Sequence, residues 1–478
     1  MKIARLKLSL IVALAGLGAL SDGLSQEFTF SNLKLFGDPD LTTGTNPIGC
    51  LALGKDGRLY GTAGGTQSNE TVFAVNSDGS GLTVIHRLGV APGDTGYYAN
   101  GLMAASDGVL YGTTRYGGSQ NDGTVFKVNG DGSGYEILWN FQGIHASDGQ
   151  NPRGCLIEGT DGALYGTTYF GGAHVVGSVF RINKDGSGYS IIKSMQTHVP
   201  GGVSPTGLIQ ASDGALYGVA YNGGSGLGGT IFKLNLDGSG FAEIWSFKQN
   251  STNGYWPEST LLEGSDGSLY GSTTMGGALS IYGSGTIFKI NKDGTGFTVL
   301  YSFLNSIDDA NDHRLAEGKD GALYGTRATG GAFGQGGVFR LNKDGTGFTS
   351  LHDFSGTNGD GALPFAGLTA GTAGEFYGST IVGGKNGAGP GSGTGYGTLF
   401  ALRPGTLAPG LSINSDGHAH VTFVGQSGKS YSIQAAAVLP ATAWATLGSA
   451  TATASGQIQF DDGDATNHPA RFYRTLQQ

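Results

Sequence analysis

Three consecutive stretches of this chain place an aromatic side chain just ahead of a Gly-Gly pair. They are Tyr116, Tyr169 with Phe170, and Tyr221. The matching positions elsewhere hold Ala63, Met275, Thr329 and Val382. Flat rings beside a few polar groups suit stacking on sugar faces and contacts with proteins. Arg115 precedes the first ring, and Asp148 and Arg153 lie in the connection before the third repeat. Tyr255 and Trp256 form a further aromatic pair before the fifth. Arg115, Tyr116, Asp148, Arg153, Tyr169, Phe170, Tyr221, Tyr255 and Trp256 are therefore the candidate binding residues. Packing of the loops is the plainer role for the same rings.

Catalytic patterns find less support. There is no G-x-S-x-G elbow for a hydrolase nucleophile and no HExxH pair for zinc. Gly428-Lys429-Ser430 echoes a phosphate loop, but its first glycine would fall on Phe423 and no helical pattern follows. A polysaccharide lyase or hydrolase would need converging acid–base groups. Its candidates are Asp148, Arg153, His174, Asp308, Asp309 and Arg314. The acidic clusters Asp308/Asp309/Asp312 and Asp461/Asp462/Asp464 could offer oxygens to Ca²⁺. Neither has a calcium-loop spacing, so they read as solvated loops and no cofactor is expected.

These residues ride on an internal repeat. The tyrosine of an LYGT-like segment recurs as Tyr60, Tyr111, Tyr165, Tyr217, Tyr270, Tyr324 and Tyr377, at intervals of 51 to 54 residues. A fixed period of that size marks a propeller, solenoid or array. Within each unit, Asp-Gly turns and a Gly-Gly pair separate four strand-length runs, as from Gly207 to Phe247. Asp-Gly between apolar runs is a hairpin signal, because glycine accepts positive φ. Four antiparallel strands per unit make a propeller blade. The near-uniform Asp-Gly turns then share one face, and the variable connections share the other, where binding residues are expected. The Asn-x-Asp-Gly-Ser/Thr-Gly segments read as turn formers. The cations Lys127, Arg181, Lys233, Lys289 and Arg340 recur in the third strand, so ion pairs between blades are expected of them.

The seventh unit stops after its third strand, at Arg403-Pro404-Gly405. The early segment Phe30/Leu33/Phe36 has the offsets of a fourth strand, as in Phe297/Leu300/Phe303. The first strand is therefore expected to complete the last blade, removing an open sheet edge. The predicted fold is all-β: a seven-bladed β-propeller closed by the N-terminal strand, over residues 26–405. Residues 406–478 carry about five short alternating runs. They predict a small β-sandwich-like, fibronectin-like module with Trp444, Phe460, Phe472 and Tyr473 in its core.

At the N-terminus, Lys2, Arg5 and Lys7 precede the apolar run Leu8 to Leu20, which predicts a signal peptide over residues 1–25. Thirteen apolar residues are too few to span a bilayer, and no second such segment follows. Export would permit a disulfide between Cys50 and Cys155. These lie in units one and three, which are not neighbours, so both are expected as small buried side chains without a bridge. The 478 residues include 91 Gly but only 13% charged residues, with a formal net charge of −9. An acidic surface disfavours nucleic acid and anionic membranes.

The segment 161–168 (DGALYGTT), Gly171-Gly172, and 178–189 (SVFRINKDGSGY) together resemble the GloVer tandem repeat of exported bacterial proteins. The resemblance covers about residues 28–403. It implies an exported, propeller-like repeat protein, often joined to a surface anchor, and supplies no activity and no catalytic residues. No anchor pattern is read in the C-terminal tail. The leading functional reading is a non-enzymatic, monomeric binding protein, secreted or at the cell surface or periplasm, recognising a glycan or a surface protein. A propeller lyase or hydrolase is one alternative, and a structural surface-layer spacer is another.

Overall fold

A computed structural model describes residues 28–37, 44–64, 70–90, 96–143, 147–197, 201–278, 284–303, 314–385, 395–404, 410–413, 419–424, 429–436, 444–452, 457–464 and 472–477. The expected signal segment and Asp308, Asp309 and Asp312 lie outside them. Among the described residues the elements are strands, with no α-helix and no helix long and apolar enough to cross a membrane.

Residues Phe30–Leu402 form one compact unit. It is a seven-bladed propeller of four-stranded antiparallel sheets. Blade three shows the pattern. Gly149–Glu158 pairs with Leu164–Gly171, which pairs with Ser178–Ile182, which pairs with Ser190–Ser194. The first strands of successive blades approach one another around the central channel. The last blade has the order Phe28–Leu35, Thr398–Pro404, Phe376–Thr380, Thr369–Ala370. The opening strand thus closes the ring. Phe30 packs its ring 5.5 Å from Phe400 and 5.6 Å from Phe354. Phe36, fully buried, reaches Phe73 of blade one at 5.5 Å.

The repeat motif has a physical reason. In blade three the turn residue Asp161 accepts a hydrogen bond from the Tyr165 hydroxyl at 3.0 Å. The same bond recurs at Asp56–Tyr60, Asp107–Tyr111, Asp213–Tyr217, Asp266–Tyr270 and Asp320–Tyr324. In the seventh blade Glu375 takes the place of the aspartate. The glycine after each tyrosine leaves room for the third-strand phenylalanine: a Cβ on Gly166 would lie 2.5 Å from Phe180 Cζ.

The third-strand cations do not pair between blades as expected. Arg181 binds Asp161 (3.1 Å), Lys289 binds Asp266 (2.8 Å), Arg340 binds Asp320 (2.9 Å), and Lys127 binds Glu136 (2.8 Å), all within one blade. Lys233 stands 4.0 Å from Asp213, also in its own blade. Register explains this. Tyr165 lies directly opposite Arg181, so both side chains reach the turn aspartate beside them. Blades are joined instead by lysines of the outer turns. Lys184 binds Glu158 of its own blade at 2.6 Å and donates to Ser106 of blade two at 3.0 Å. Lys343 repeats this with Glu317 and, at 2.9 Å, with Ser265.

The second unit contains the chain from Arg403 onward. Its strands form two three-stranded antiparallel sheets. One is Gly410–Ile413, Ala419–Val424 and Gln457–Asp462, and the other is Ala445–Thr451, Ser430–Ala436 and Phe472–Gln477. Val421, Tyr431, Ile433, Ile458 and Tyr473 share one core, and Phe460 packs against it.

Candidate functional site

Entry into six of the seven blades is made by a kink, the connection into blade six lying outside the described residues. Asn46, Tyr98, Asn151, Ser204, Trp256 and Leu363 all have φ between +52° and +58°. Such a conformation costs an L-residue about 1–2 kcal/mol, so neighbours must hold it. The kinked residue donates its amide to the preceding blade: Asn151 N to Asp122 O (2.8 Å), Ser204 N to Val176 O (2.8 Å), Trp256 N to Gly228 O (2.7 Å). Tyr98 N is bound instead by the Glu70 carboxylate. In five of the six, proline follows and meets a left-handed glycine of the preceding blade, as Pro152 meets Gly123.

Two residues after five of these kinks the chain reaches the channel. Ile48, Asn100, Arg153, Thr206 and Glu258 occupy that position in blades one to five, and all five line a cavity of about 120 Å³. Tyr98 and Arg115 line it too. Because the kinks lie where the first strands begin, this mouth is on the face of the variable connections. Blades two to four build its rim. Their first strands, Tyr97–Ala104, Gly149–Glu158 and Val203–Gln210, are long, whereas those of blades one, five, six and seven have two residues each.

Arg153 is held from two sides. Its guanidinium lies 4.0 Å from the centre of the Tyr169 ring, and Nη1 is 3.4 Å from Glu258 Oε1. Its Nε is buried without a hydrogen-bond partner among the described residues. Burial, then the neighbouring Arg153 charge, push the Arg115 guanidinium below its ordinary pKa, against the pull of Tyr116, Tyr169 and Glu258. Tyr116 meets Tyr98 edge-on at 5.7 Å and stacks on Tyr97 at 5.4 Å. Phe170 meets Tyr169 edge-on at 4.8 Å and is 44% exposed.

The other candidates sit differently. Tyr221 stacks on Trp256 at 5.4 Å, and Trp256 stands two residues before Glu258. Tyr255 is buried in the blade core. Asp148 is buried and committed to packing. It accepts bonds from Trp139 Nε1 (3.1 Å), the Gln142 amide (2.9 Å), the Gly149 amide (2.7 Å) and the Tyr189 hydroxyl. His174 pairs with Gln196. In the second unit, Asp462 accepts from the Tyr473 hydroxyl (2.9 Å) and Asp461 pairs with His420 (2.6 Å). Ile48, Tyr98, Asn100, Thr206 and Glu258 are mouth residues that the sequence reading missed. All but Tyr98, itself a kink, stand two residues after a kink.

Below the mouth the structure corrects the cysteine expectation. Cys50 and Cys155 form a disulfide, with Cα atoms 6.7 Å apart. Blade two does separate blades one and three around the ring, but at the axis the first strands converge. Its residue at that level is Gly101, which bridges Cys50 and has no side chain to keep the sulfurs apart. Deeper still, Ile157, Ile209, Leu262 and Arg314 line a separate cavity of about 270 Å³. Arg153 and Gly154 line the upper cavity and Ile157 the lower, with Cys155 between them along one strand. The disulfide therefore ties the first strands of blades one and three together just below the mouth.

The profile of the Gloeobacter/Verrucomicrobia repeat matches residues 17–199 and 151–390. The chain belongs to this repeat family. No curated protein matches it at a significant level. Among solved structures, the extracellular domain of a putative one-component system from B. thetaiotaomicron is similar, with a TM-score of 0.51 and 13% identity. The match covers 85% of this chain and 45% of that one, so this chain spans less than half of it. An oligogalacturonate lyase in complex with manganese is similar with a TM-score of 0.50 and 12% identity, covering 81% of this chain and 99% of the lyase. At these identities the likeness is one of fold.

Proposed function

We propose that this is an exported, non-enzymatic binding module that recognises a glycan through the mouth of its propeller channel. The observation that carries the reading is the mouth itself, where Arg153, sandwiched by Tyr169 and Glu258, shares one cavity with Tyr98, Asn100 and Arg115. Rings to stack on and fixed polar groups to orient hydroxyls are the two requirements of a sugar site. The mouth carboxylate, Glu258, is engaged by Arg153, which suits positioning. A disulfide supports placement in an oxidising compartment.

The test is a glycan array followed by calorimetry on the full chain and on a Tyr98→Ala/Tyr169→Ala variant. Binding of a glycan that weakens at least about tenfold in the variant is expected, since each lost stacking contact removes about 0.5–1.5 kcal/mol beyond area burial. An array without hits, or unchanged affinity in the variant, would remove the reading.

A further inference from the structure

Charge at the mouth is unbalanced. Among the described lining residues two guanidinium groups face one carboxylate, and Glu258 is drawn to Arg153. The Arg115 guanidinium has no hydrogen-bond or ion-pair partner among the described residues, and burial and the neighbouring Arg153 charge both disfavour its charged form. Arg153 keeps an unpartnered, buried Nε. Folded proteins seldom hold a partly buried guanidinium without an acceptor, because desolvation of the charge is left uncompensated. The Arg115 guanidinium and the Arg153 guanidinium, the latter with Glu258 as its one ion-pair partner among the described residues, line the same cavity. A planar guanidinium matches a carboxylate bidentately.

We infer that the glycan carries an acidic substituent, a uronate carboxylate, which is received by Arg115 and Arg153 at the mouth. This rests on the glycan reading above and names the class of sugar. A cavity of about 120 Å³ has room for an acidic group and the ring edge bearing it. Tyr98 and Tyr169 then flank the ring, and Asn100 is available to its hydroxyls. The chain as a whole is acidic, with a net charge of −9, so a polyanion is repelled at long range and attracted only at the mouth. Binding is therefore expected to be local, without the fast steered association of a basic surface.

The experiment is calorimetry of the oxidised full chain with trigalacturonate and trimannuronate, and with the methyl esters of both. The esters keep the shape and remove the charge. At least one acid is expected to bind about tenfold or more tighter than its ester, as charge-assisted hydrogen bonds are roughly twice as strong as neutral ones. In Arg115→Gln that preference is expected to fall to about twofold, with the thermal midpoint unchanged. Arg115→Lys, which keeps the charge without the planar fork, is expected to be intermediate. Equal binding of acid and ester by the native chain would overturn the acidic-group inference and leave glycan recognition standing. Preference for the acid that persists in Arg115→Gln would overturn the assignment to this residue. Failure of every acid, ester and neutral trisaccharide to bind would remove the glycan reading, and this inference with it.

Discussion

Replacing Cys50 and Cys155 together by alanine should lower the stability of the propeller by an amount that the chain length sets. The bridge closes a loop with a sequence separation of 105 residues. In the chain-entropy picture, cross-linking a loop of about 100 residues removes unfolded-state freedom worth about 4.7 kcal/mol at 25 °C. Unfolding entropy near 60 °C is about 2.1 cal/mol/K per residue, or roughly 0.8 kcal/mol/K for a unit the size of Phe30–Leu402. The expected fall in Tm is therefore roughly 6 °C, read by scanning calorimetry of the oxidised native chain beside the double variant. The folded state loses little packing, because both cysteines are small and sit at the axis. A shift below about 1 °C would refute the argument, since the cross-link would then be adding no constraint that the closed ring lacks.

Other perturbations follow from the same geometry. A side chain on Gly101, as in Gly101→Val, would run into the Cys50 backbone at a φ of +115°, so the urea midpoint of the variant should fall. Phe36→Ala empties a fully buried site against Phe73 and should cost about 3–5 kcal/mol, seen as a lower urea midpoint. Burial alone would raise the Asp266 carboxyl, but hydrogen bonds from Lys289, Tyr270 and the Ser268 amide outweigh it and hold it at about 2. Asp56, Asp107, Asp161 and Asp213 are also held below their ordinary value, by their own turn amides and tyrosines. A depressed carboxyl stabilises the fold above its unfolded value of 3.8 and loses that contribution as pH falls towards 2. Urea midpoints should be level from pH 7 to 5 and drop between about pH 4 and 2, and a flat acid limb would contradict the turn network.

The ring and its closure were legible because they depend on local offsets. Phe30, Leu33 and Phe36 repeat the spacing of every other fourth strand, and the seventh unit visibly lacks one. The aspartates and tyrosines of the repeat were visible as a motif, but their partners were not. Whether Arg181 faces its own blade or the next is set by its register opposite Tyr165, which sequence spacing alone leaves open. The disulfide was misread for a related reason: blade adjacency was judged around the ring, whereas Cys50 and Cys155 meet at its axis, across a glycine. At the mouth, Arg115, Arg153 and Tyr169 were picked out by residue type. Glu258 was passed over because its position becomes meaningful only once the kink at Trp256 is seen to turn the chain inward. Asp148, chosen for its charge, is consumed by Trp139 and Tyr189.

The sulfur bridge beneath the mouth ties blade one to blade three past blade two. Arg153 stands two residues before Cys155 on the same strand. The cross-link thus anchors the segment that carries this cation, and a reductant would release that segment from blade one while leaving its pairing within blade three in place.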